Sequence, residues 1–348
     1  MEMTVHTAKP YEILLERGLL SRAGEECAKL FAPGARAMII SDSNVYPLFG
    51  EKVAASLQEA GFRVFSCTFP AGEQSKQLST VEGFYRALAE NHFTRSDFVV
   101  ALGGGVTGDM AGFAAATFLR GIDFVQVPTS LLAQVDSSVG GKTGVDLPFG
   151  KNLVGAFHQP RLVLIDPDTL DALPPHFFAD GMGEVIKYGC IRDKDLFENL
   201  KKQDVKEHLE EVIFRCVDCK RRIVEADALE KGERMLLNFG HTLGHAMEKL
   251  RDFQGLSHGE AVGIGMVLIS QAGEKAGLTQ PGTADRIAAL LEKYGLPTKT
   301  TDTPAELAAA ASLDKKNAGD NLHLILLQTI GESYIHTIPT AELQEFLQ

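Results

Sequence analysis

Residues 98–110 read Phe-Val-Val-Ala-Leu-Gly-Gly-Gly-Val-Thr-Gly-Asp-Met. An apolar run of five, bounded by glycine, fits a strand buried on both faces, here Phe98 to Leu102. The segment from Met110 to Phe118 reads as a helix. Gly103, Gly105 and Gly108 match G-x-G-x-x-G. Missing side chains let the backbone approach a pyrophosphate, and the helix N-terminus supplies unpaired N–H groups at the favourable end of the dipole. A tight strand-to-helix turn without a ligand has the same signature, so the neighbouring segments decide.

Outward from this loop, apolar runs alternate with amphipathic stretches. Ala37 to Ser41, Arg63 to Thr68, Phe124 to Val127 and Leu162 to Ile165 read as strands. Tyr46 to Ala60 and Leu78 to Asn91 carry apolar residues at three- and four-residue spacing and read as covering helices. The rhythm is that of an α/β domain with a parallel nucleotide-binding sheet, whose carboxyl ends should carry the ligand. Three polar loops join the glycine loop on that edge, making four. Ser41-Asp42-Ser43-Asn44 offers a carboxylate and an amide for a ribose, although Asp42 serves equally well as a helix N-cap. Gly72-Glu73-Gln74-Ser75-Lys76 and Pro128-Thr129-Ser130 follow two other strands. Asp136 to Gly144 and Gly150-Lys151-Asn152 then set Lys142, Lys151 and Asn152 among glycines, without the spacing of a P-loop.

After Asp166-Pro167 the texture changes. Helical patterns follow one another at Phe177 to Tyr188, Val205 to Ala228, His241 to Leu250, Gly259 to Ala276 and Ala284 to Tyr294, with a late hairpin at Leu322 to Gln328 and Ser333 to Ile338. The expected division is residues 1–173 as an NAD-binding α/β domain and residues 174–348 as a mainly α-helical domain for metal and substrate. The boundary lies at Leu173-Pro174-Pro175, where paired prolines disfavour a continuing helix. This half carries Glu184, His241, His245 and His258. A carboxylate with imidazoles suits a catalytic zinc site, but spacing alone does not choose the ligands. His241 and His245 share a helical face, yet the glutamate of H-E-x-x-H is absent. Cys216 and Cys219, in mid-helix and without a second pair, read as structural.

The net charge of −12 over 348 residues argues against nucleic acid or an anionic membrane as partner. An anionic substrate therefore needs a local basic cluster, and Lys187, Lys220, Arg234, Asn238 and Lys315-Lys316 join the glycine-rich lysines as candidates. The longest apolar stretch, near Val262 to Ile269, is too short for a bilayer. Five scattered cysteines and an N-terminus unlike a signal sequence fit a reducing, cytoplasmic setting.

Taken in order, Gly-Glu-Gln-Ser-Lys from 72, Gly-Gly-Gly-Val-Thr-Gly-Asp from 103, Pro-Thr-Ser-Leu-Leu-Ala-Gln-Val-Asp-Ser-Ser-Val-Gly-Gly-Lys-Thr-Gly from 128 and Gly-Lys-Asn-Leu-Val-Gly-Ala-Phe from 150 resemble 3-dehydroquinate synthase. So do Gly-Met-Gly-Glu-Val-Ile-Lys from 181, Asn-Phe-Gly-His-Thr-Leu-Gly-His-Ala from 238, His-Gly-Glu-Ala-Val from 258 and Asp-Lys-Lys-Asn from 314. The family is a sugar phosphate cyclase family, related in fold to glycerol dehydrogenase and iron-dependent alcohol dehydrogenases. The resemblance implies a metal, Zn2+ with Co2+ as an alternative, held by Glu184, His241 and His258, which leaves His245 for the substrate. It implies NAD contacts from Asp42, Asn44, the Gly72 loop with Glu73 and Lys76, Gly104, Gly105, Val106, Gly108, Asp109, Thr129 and Ser130. Lys142, Lys151 and Asn152 would bridge cofactor and substrate, and Thr169, Leu170, Asp171 and Ala172 would close the site.

Substrate anions would fall to Lys142, Asn152, Lys187, Lys220, Arg234, Asn238, His245 and Lys316, with Asp136 and His245 as proton carriers. Arg120 would reach the neighbouring subunit of a homodimer. The reaction implied is conversion of 3-deoxy-D-arabino-heptulosonate 7-phosphate to 3-dehydroquinate and phosphate, with NAD oxidising the substrate and returning the hydride within each turnover. Ser130 and Ser75 depart from the family pattern, which usually has threonine and often an aromatic residue there.

Overall fold

The computed structural model describes residues 1–148, 150–230, 232–252, 254–314 and 320–348. By internal packing the chain divides into two compact units: Met1–Pro174 with Lys220–Ala228, and Pro175–Cys219 with Leu229–Gln348. The first is α/β and the second largely helical.

All five apolar runs read as strands are strands. The first unit contains β1 (Glu2–Val5), β2 (Tyr11–Leu15), β3 (Arg36–Asp42), β4 (Arg63–Phe69), β5 (Phe98–Gly103) and β6 (Asp123–Pro128). A hairpin of β7 (Lys142–Leu147) and β8 (Gly150–Phe157) follows, then β9 (Leu162–Ile165). Seven strands form one sheet in the order β1-β2-β9-β6-β5-β3-β4, parallel except for the β1–β2 pair.

Alternate residues of the central strands feed two cores. Ile39, Val100 and Leu102 pack with Val53 and Leu57 of the helix Glu51–Glu59. Met38, Ile40, Val99 and Ala101 pack on the other face with Val81, Phe84 and Leu88 of the helix Leu78–Glu90 and with Met110 and Phe113 of the helix Gly105–Thr117. Two-sided cover explains why these strands read as unbroken apolar runs. From β3 the chain steps outward to β4, then returns to the other side of β3 and continues through β5 and β6. The crevice between the carboxyl ends of β3 and β5 is thus the topological switch point, where open α/β sheets take ligands. Asp42 ends one strand and Gly103 the other.

Two expectations about the first unit need correction. The helix after the glycines begins at Gly105 rather than Met110. Its first turn is rich in weak helix formers, and burial on all sides supplies what propensity does not. The lysine-bearing segment read as glycine-rich loops is an antiparallel hairpin, β7 with β8. Strands β1 and β2 and the helices Lys194–Lys202 and Pro304–Asp314 also passed unread.

In the second unit, the helices Pro175–Ile191, His241–Leu250, His258–Lys275 and Thr283–Lys293 match the expected segments closely. The stretch read as Val205 to Ala228 is a 3-10 turn, Val205–His208, and then the helix Leu209–Ala226. The late hairpin is β10 (Asn321–Thr329) with β11 (Glu332–Pro339). Cys216 and Cys219 lie inside a helix, neither in a disulfide, and burial pushes Cys219 up to about 12, away from thiolate reactivity. Among the described residues no helix is long and apolar enough to cross a membrane.

The switch-point strands are tied by a buried carboxylate. Asp97 accepts from Arg36 N and Thr94 N, both at 2.7 Å, and from Thr94 Oγ1 at 2.9 Å. Burial disfavours its charge, but these donors outweigh burial and hold its pKa below the usual aspartate value. Its stabilising effect is therefore complete above the unfolded pKa, about 3.9, and is lost as pH falls through the lower folded value. Asp97→Asn turns an amide toward N–H donors and should cost about 1–3 kcal/mol at neutral pH. In urea melts the deficit should shrink as pH falls below about 4; a deficit independent of pH would contradict the account.

Candidate active site

Glu184 lies within the helix Pro175–Ile191, while His241 and His258 each begin a helix. Glycines let these helices touch backbone to backbone. A Cβ at Gly259 would lie 2.0 Å from Asp180 O, one at Gly183 2.8 Å from Gly259 O, and one at Gly265 2.1 Å from Gly240 O. Only hydrogen fits at such distances. Asp180 Oδ1 accepts from Gly259 N at 2.6 Å, fastening the first turn of the His258 helix to the helix that carries Glu184. Ser257 and Glu260 close that turn with a capping box.

The result is convergence. His241 Nε2 and His258 Nε2 each stand 3.5 Å from the same oxygen, Glu184 Oε1. One donor atom from each of the three falls within 4.8 Å of the others. His241 Nδ1 lies 3.1 Å from Phe239 O, so donation there leaves the Nε2 lone pair facing the cluster. Burial, reinforced by the Lys187 charge, holds His241 well below the usual histidine range and keeps it neutral. For His258 burial acts in the same direction, but bonding to Glu184 and Glu248 wins and carries it up to about 10. One fully buried carboxylate and two imidazoles are the chemistry of a three-ligand catalytic zinc site with an open position, so the residues present fit such a metal.

The other candidates of this unit differ in burial and partners. Lys187 pairs with Glu184 one helical turn away, and both are buried. Arg234 is buried in the 3-10 turn Glu233–Asn238, and Asn238 Nδ2 donates to Glu230 Oε1 at 3.0 Å. His245 is exposed, its ring centroid 5.5 Å from that of His241 and 6.0 Å from that of His258. With Glu248 and His258 it forms a second grouping of metal-ligating type. Lys316 lies outside the described residues.

In the first unit the glycine turn backs onto the segment after β6. A Cβ at Gly104 would meet Ser130 Oγ at 3.3 Å, one at Gly105 would meet Ser137 Oγ at 3.1 Å, and one at Gly108 would meet Gln126 Oε1 at 2.8 Å. Gly108 is thus a helix-to-strand packing residue, whereas Gly104 and Gly105 leave the backbone bare at the start of a helix, as a pyrophosphate requires. Asp42 Oδ1 accepts from Asn44 N at 2.8 Å and Val45 N at 3.0 Å, so it also orders its own turn. Thr129 N donates to Gly103 O at 3.0 Å, joining two of the four loops. Buried Gln134 donates to Pro128 O, Asp166 O and Thr169 Oγ1, which fixes the 3-10 turn Pro167–Ala172 holding Thr169, Leu170, Asp171 and Ala172. Buried Ser75 donates to Pro70 O at 2.5 Å.

The basic residues of this unit form an ordered chain. Lys76 Nζ contacts Asp109 Oδ2 and Asn152 Oδ1, each at 2.7 Å, and Asn152 N donates to Asp146 Oδ1 at 2.7 Å. Burial disfavours the Lys76 charge, yet Asp109, Glu73 and Asp146 more than compensate and keep its pKa above the ordinary lysine value. Asn152 adopts φ 55°, a conformation asparagine tolerates better than most residues. Lys151 Nζ lies 3.7 Å from Glu73 Oε1. Lys142 is exposed on β7, and Arg120 is exposed on the turn before β6. Lys220 Nζ reaches both Asp136 Oδ1 and Asp136 O at 2.8 Å. Glu248, Asp146, Gln134 and Asp180 were not singled out in the sequence. Only Glu248 carried a usable signal, three residues beyond His245 on a helix and so on the same face.

The chain matches the family model described as 3-dehydroquinate synthase N-terminal over residues 66–180 and the one described as 3-dehydroquinate synthase C-terminal over residues 181–317. It is 52% identical to a 3-dehydroquinate synthase of Clostridium perfringens (strain SM101 / Type A) over 94% of this chain and 95% of that one. Among solved structures it resembles 2-deoxy-scyllo-inosose synthase complexed with carbaglucose-6-phosphate, NAD+ and Co2+, at 27% identity and TM-score 0.87, covering 100% of this chain and 99% of that one. It also resembles a 2-epi-5-epi-valiolone synthase of Streptomyces hygroscopicus subsp. jinggangensis 5008 with NAD+ and Zn2+ bound, at 29% identity and TM-score 0.86, covering 97% and 95%.

If the glycine contacts build the ligand set, Gly259→Ala should destabilise the protein by about 1–3 kcal/mol and weaken zinc retention. Gly83→Ala, where a Cβ meets nothing within 4 Å in a helix interior, should be neutral or stabilising by up to about 1 kcal/mol. Calorimetry and zinc titration of both variants test this; unchanged zinc binding in Gly259→Ala would count against the steric argument.

Proposed function

The chain belongs to the 3-dehydroquinate synthase family, and on that premise we propose how its residues divide the work. Its activity is that of 3-dehydroquinate synthase, a lyase of the shikimate pathway. The family substrate, 3-deoxy-D-arabino-heptulosonate 7-phosphate, carries a carboxylate, a phosphate and vicinal hydroxyls. Each needs a partner that the acidic chain must supply locally.

Glu184, His241 and His258 would hold zinc, or cobalt. The turns at Asp42, Gly72, Gly104 and Thr129, with Lys76 and Asp109 on either side of one ion pair, would hold NAD. When bound, NAD supplies a reversible hydride acceptor and the metal a Lewis acid for the substrate's hydroxyl oxygens. The observation that carries this reading is the meeting of Glu184, His241 and His258 donors around one point in a chain of this family.

The chain's own groups bind, orient and move protons. Buried Lys187 and Arg234 carry charges that water does not screen, which favours an anionic ligand over a neutral polyol. Lys142, Lys151 and Asn152 sit on a hairpin rather than a floppy loop, so their donors are positioned before substrate arrives. Lys220 holds Asp136 by two contacts, which orients the Asp136 carboxylate to take or return a proton. His245, exposed one helical turn from His241, is the second proton carrier. The departing phosphate can act as its own base, so the surrounding cations need chiefly to place it.

Arg120 occupies a left-handed conformation, φ 67°, beside Leu119 at φ 50°. Two such non-glycine residues store strain of order 1–3 kcal/mol each, which supports a role for this exposed turn in presenting Arg120 to a second copy in a homodimer. The five cysteines, none of them in a disulfide, support a reducing, cytoplasmic setting.

Purified protein with zinc, catalytic NAD and the heptulosonate phosphate should release phosphate and dehydroquinate in equal amounts without net NADH. Stoichiometric NADH would point instead to a dehydrogenase. His258→Ala should abolish metal retention, whereas His245→Ala should keep the metal and lose turnover; the reverse pattern would overturn the ligand assignment.

A further inference from the structure

His258 stands between two carboxylates. Its Nε2 faces Glu184 Oε1 at 3.5 Å, and its Nδ1 faces Glu248 Oε1 at 3.6 Å on the opposite edge of the ring. Glu248 is buried, with 4% of its surface exposed, on the helix His241–Leu250 that also carries His241. One helix thus supplies both a ligand of the set and the carboxylate behind another ligand. A carboxylate this deep is costly unless a specific partner holds it, and the imidazole N–H is the partner on the side facing the site.

We propose that Glu248 is the positioning residue for His258: it accepts a hydrogen bond from Nδ1–H, keeps that proton on Nδ1 when a metal takes the place of the proton on Nε2, and raises the electron-donating power of Nε2. His241 receives the corresponding service from a neutral acceptor, Phe239 O, at 3.1 Å. The two imidazoles are therefore unequal, the one backed by a carboxylate being the stronger donor. Glu248 does not itself contact the reacting atoms on this account. The grouping of His245, Glu248 and His258 offers the opposing arrangement, with Glu248 as a direct ligand.

The proposal rests on the metal assignment of the previous section, and the test separates the two. Zinc dissociation constants are measured by competition with a chelating dye for the wild-type enzyme and for Glu248→Gln, Glu248→Ala and Glu184→Gln, alongside thermal unfolding of each metal-free protein. Glu248→Gln keeps an acceptor but loses the charge, and should bind zinc about 10-fold more weakly; Glu248→Ala should lose up to about 100-fold. The cobalt-substituted Glu248→Gln protein should keep the ligand count of the wild type in its visible spectrum but shift its bands. If Glu248→Ala fails to fold, Glu248→Gln, nearly the same shape as the native side chain, decides the matter. Affinity within twofold of wild type in Glu248→Gln, while Glu184→Gln still loses zinc, would overturn the role of Glu248 and leave the metal assignment standing. Loss of all zinc in Glu248→Ala with full retention in Glu184→Gln would overturn both, by making Glu248 the ligand.

Discussion

Everything chemical in the second unit depends on helices approaching closer than side chains allow. At Gly183, Gly259 and Gly265 a single methyl group would collide with the backbone of a neighbouring element. Because those positions are bare, the helix bearing Glu184 and the helices opened by His241 and His258 bring their donors to one point. In isolation Gly183 and Gly265 weaken their helix interiors by roughly 1 kcal/mol each relative to alanine. Here the loss is offset by close packing and by the bond from Gly259 N to Asp180.

The second constraint is electrostatic. A chain with net charge −12 must handle a substrate that is itself anionic. Each unit sets cations beside carboxylates: Lys187 with Glu184 in the second, Lys76 with Asp109 and Lys220 with Asp136 in the first. Such pairs fix the position of charge before ligand binds, which is the form in which electrostatics serves catalysis best. They also explain why composition alone gave no hint of an anion-binding protein.

Much of this was legible in the sequence. The continuous apolar runs of β3, β5 and β6 announced a sheet covered on both faces, and the helices beginning at His241 and His258 were legible from their helical pattern, the second to within one residue. Other parts were not. The start of the helix at Gly105 is set by packing against β6 and the contact of Thr107 with Asp42, neither of which local propensity encodes. The hairpin of β7 and β8 has glycines in both strands, Gly144 and Gly155, whose Cβ positions are filled by the opposite backbone; such strands look like loops. The metal ligands fell between the two cases. Residue types and rough location were visible, but the choice among three histidines came from family resemblance. Asp180 matters only through a neighbour in space, and no linear pattern marks it; Glu248 is marked only by its three-residue spacing from His245 on one helix.

The central claim is that three helices held together at glycine contacts present one carboxylate and two imidazoles to a single metal. X-ray absorption of the zinc-loaded protein tests it most directly. The account predicts a first coordination sphere of nitrogen and oxygen at about 2.0–2.2 Å with the multiple-scattering signature of two imidazoles. A sphere with three imidazoles, or with sulfur at about 2.3 Å, would contradict it.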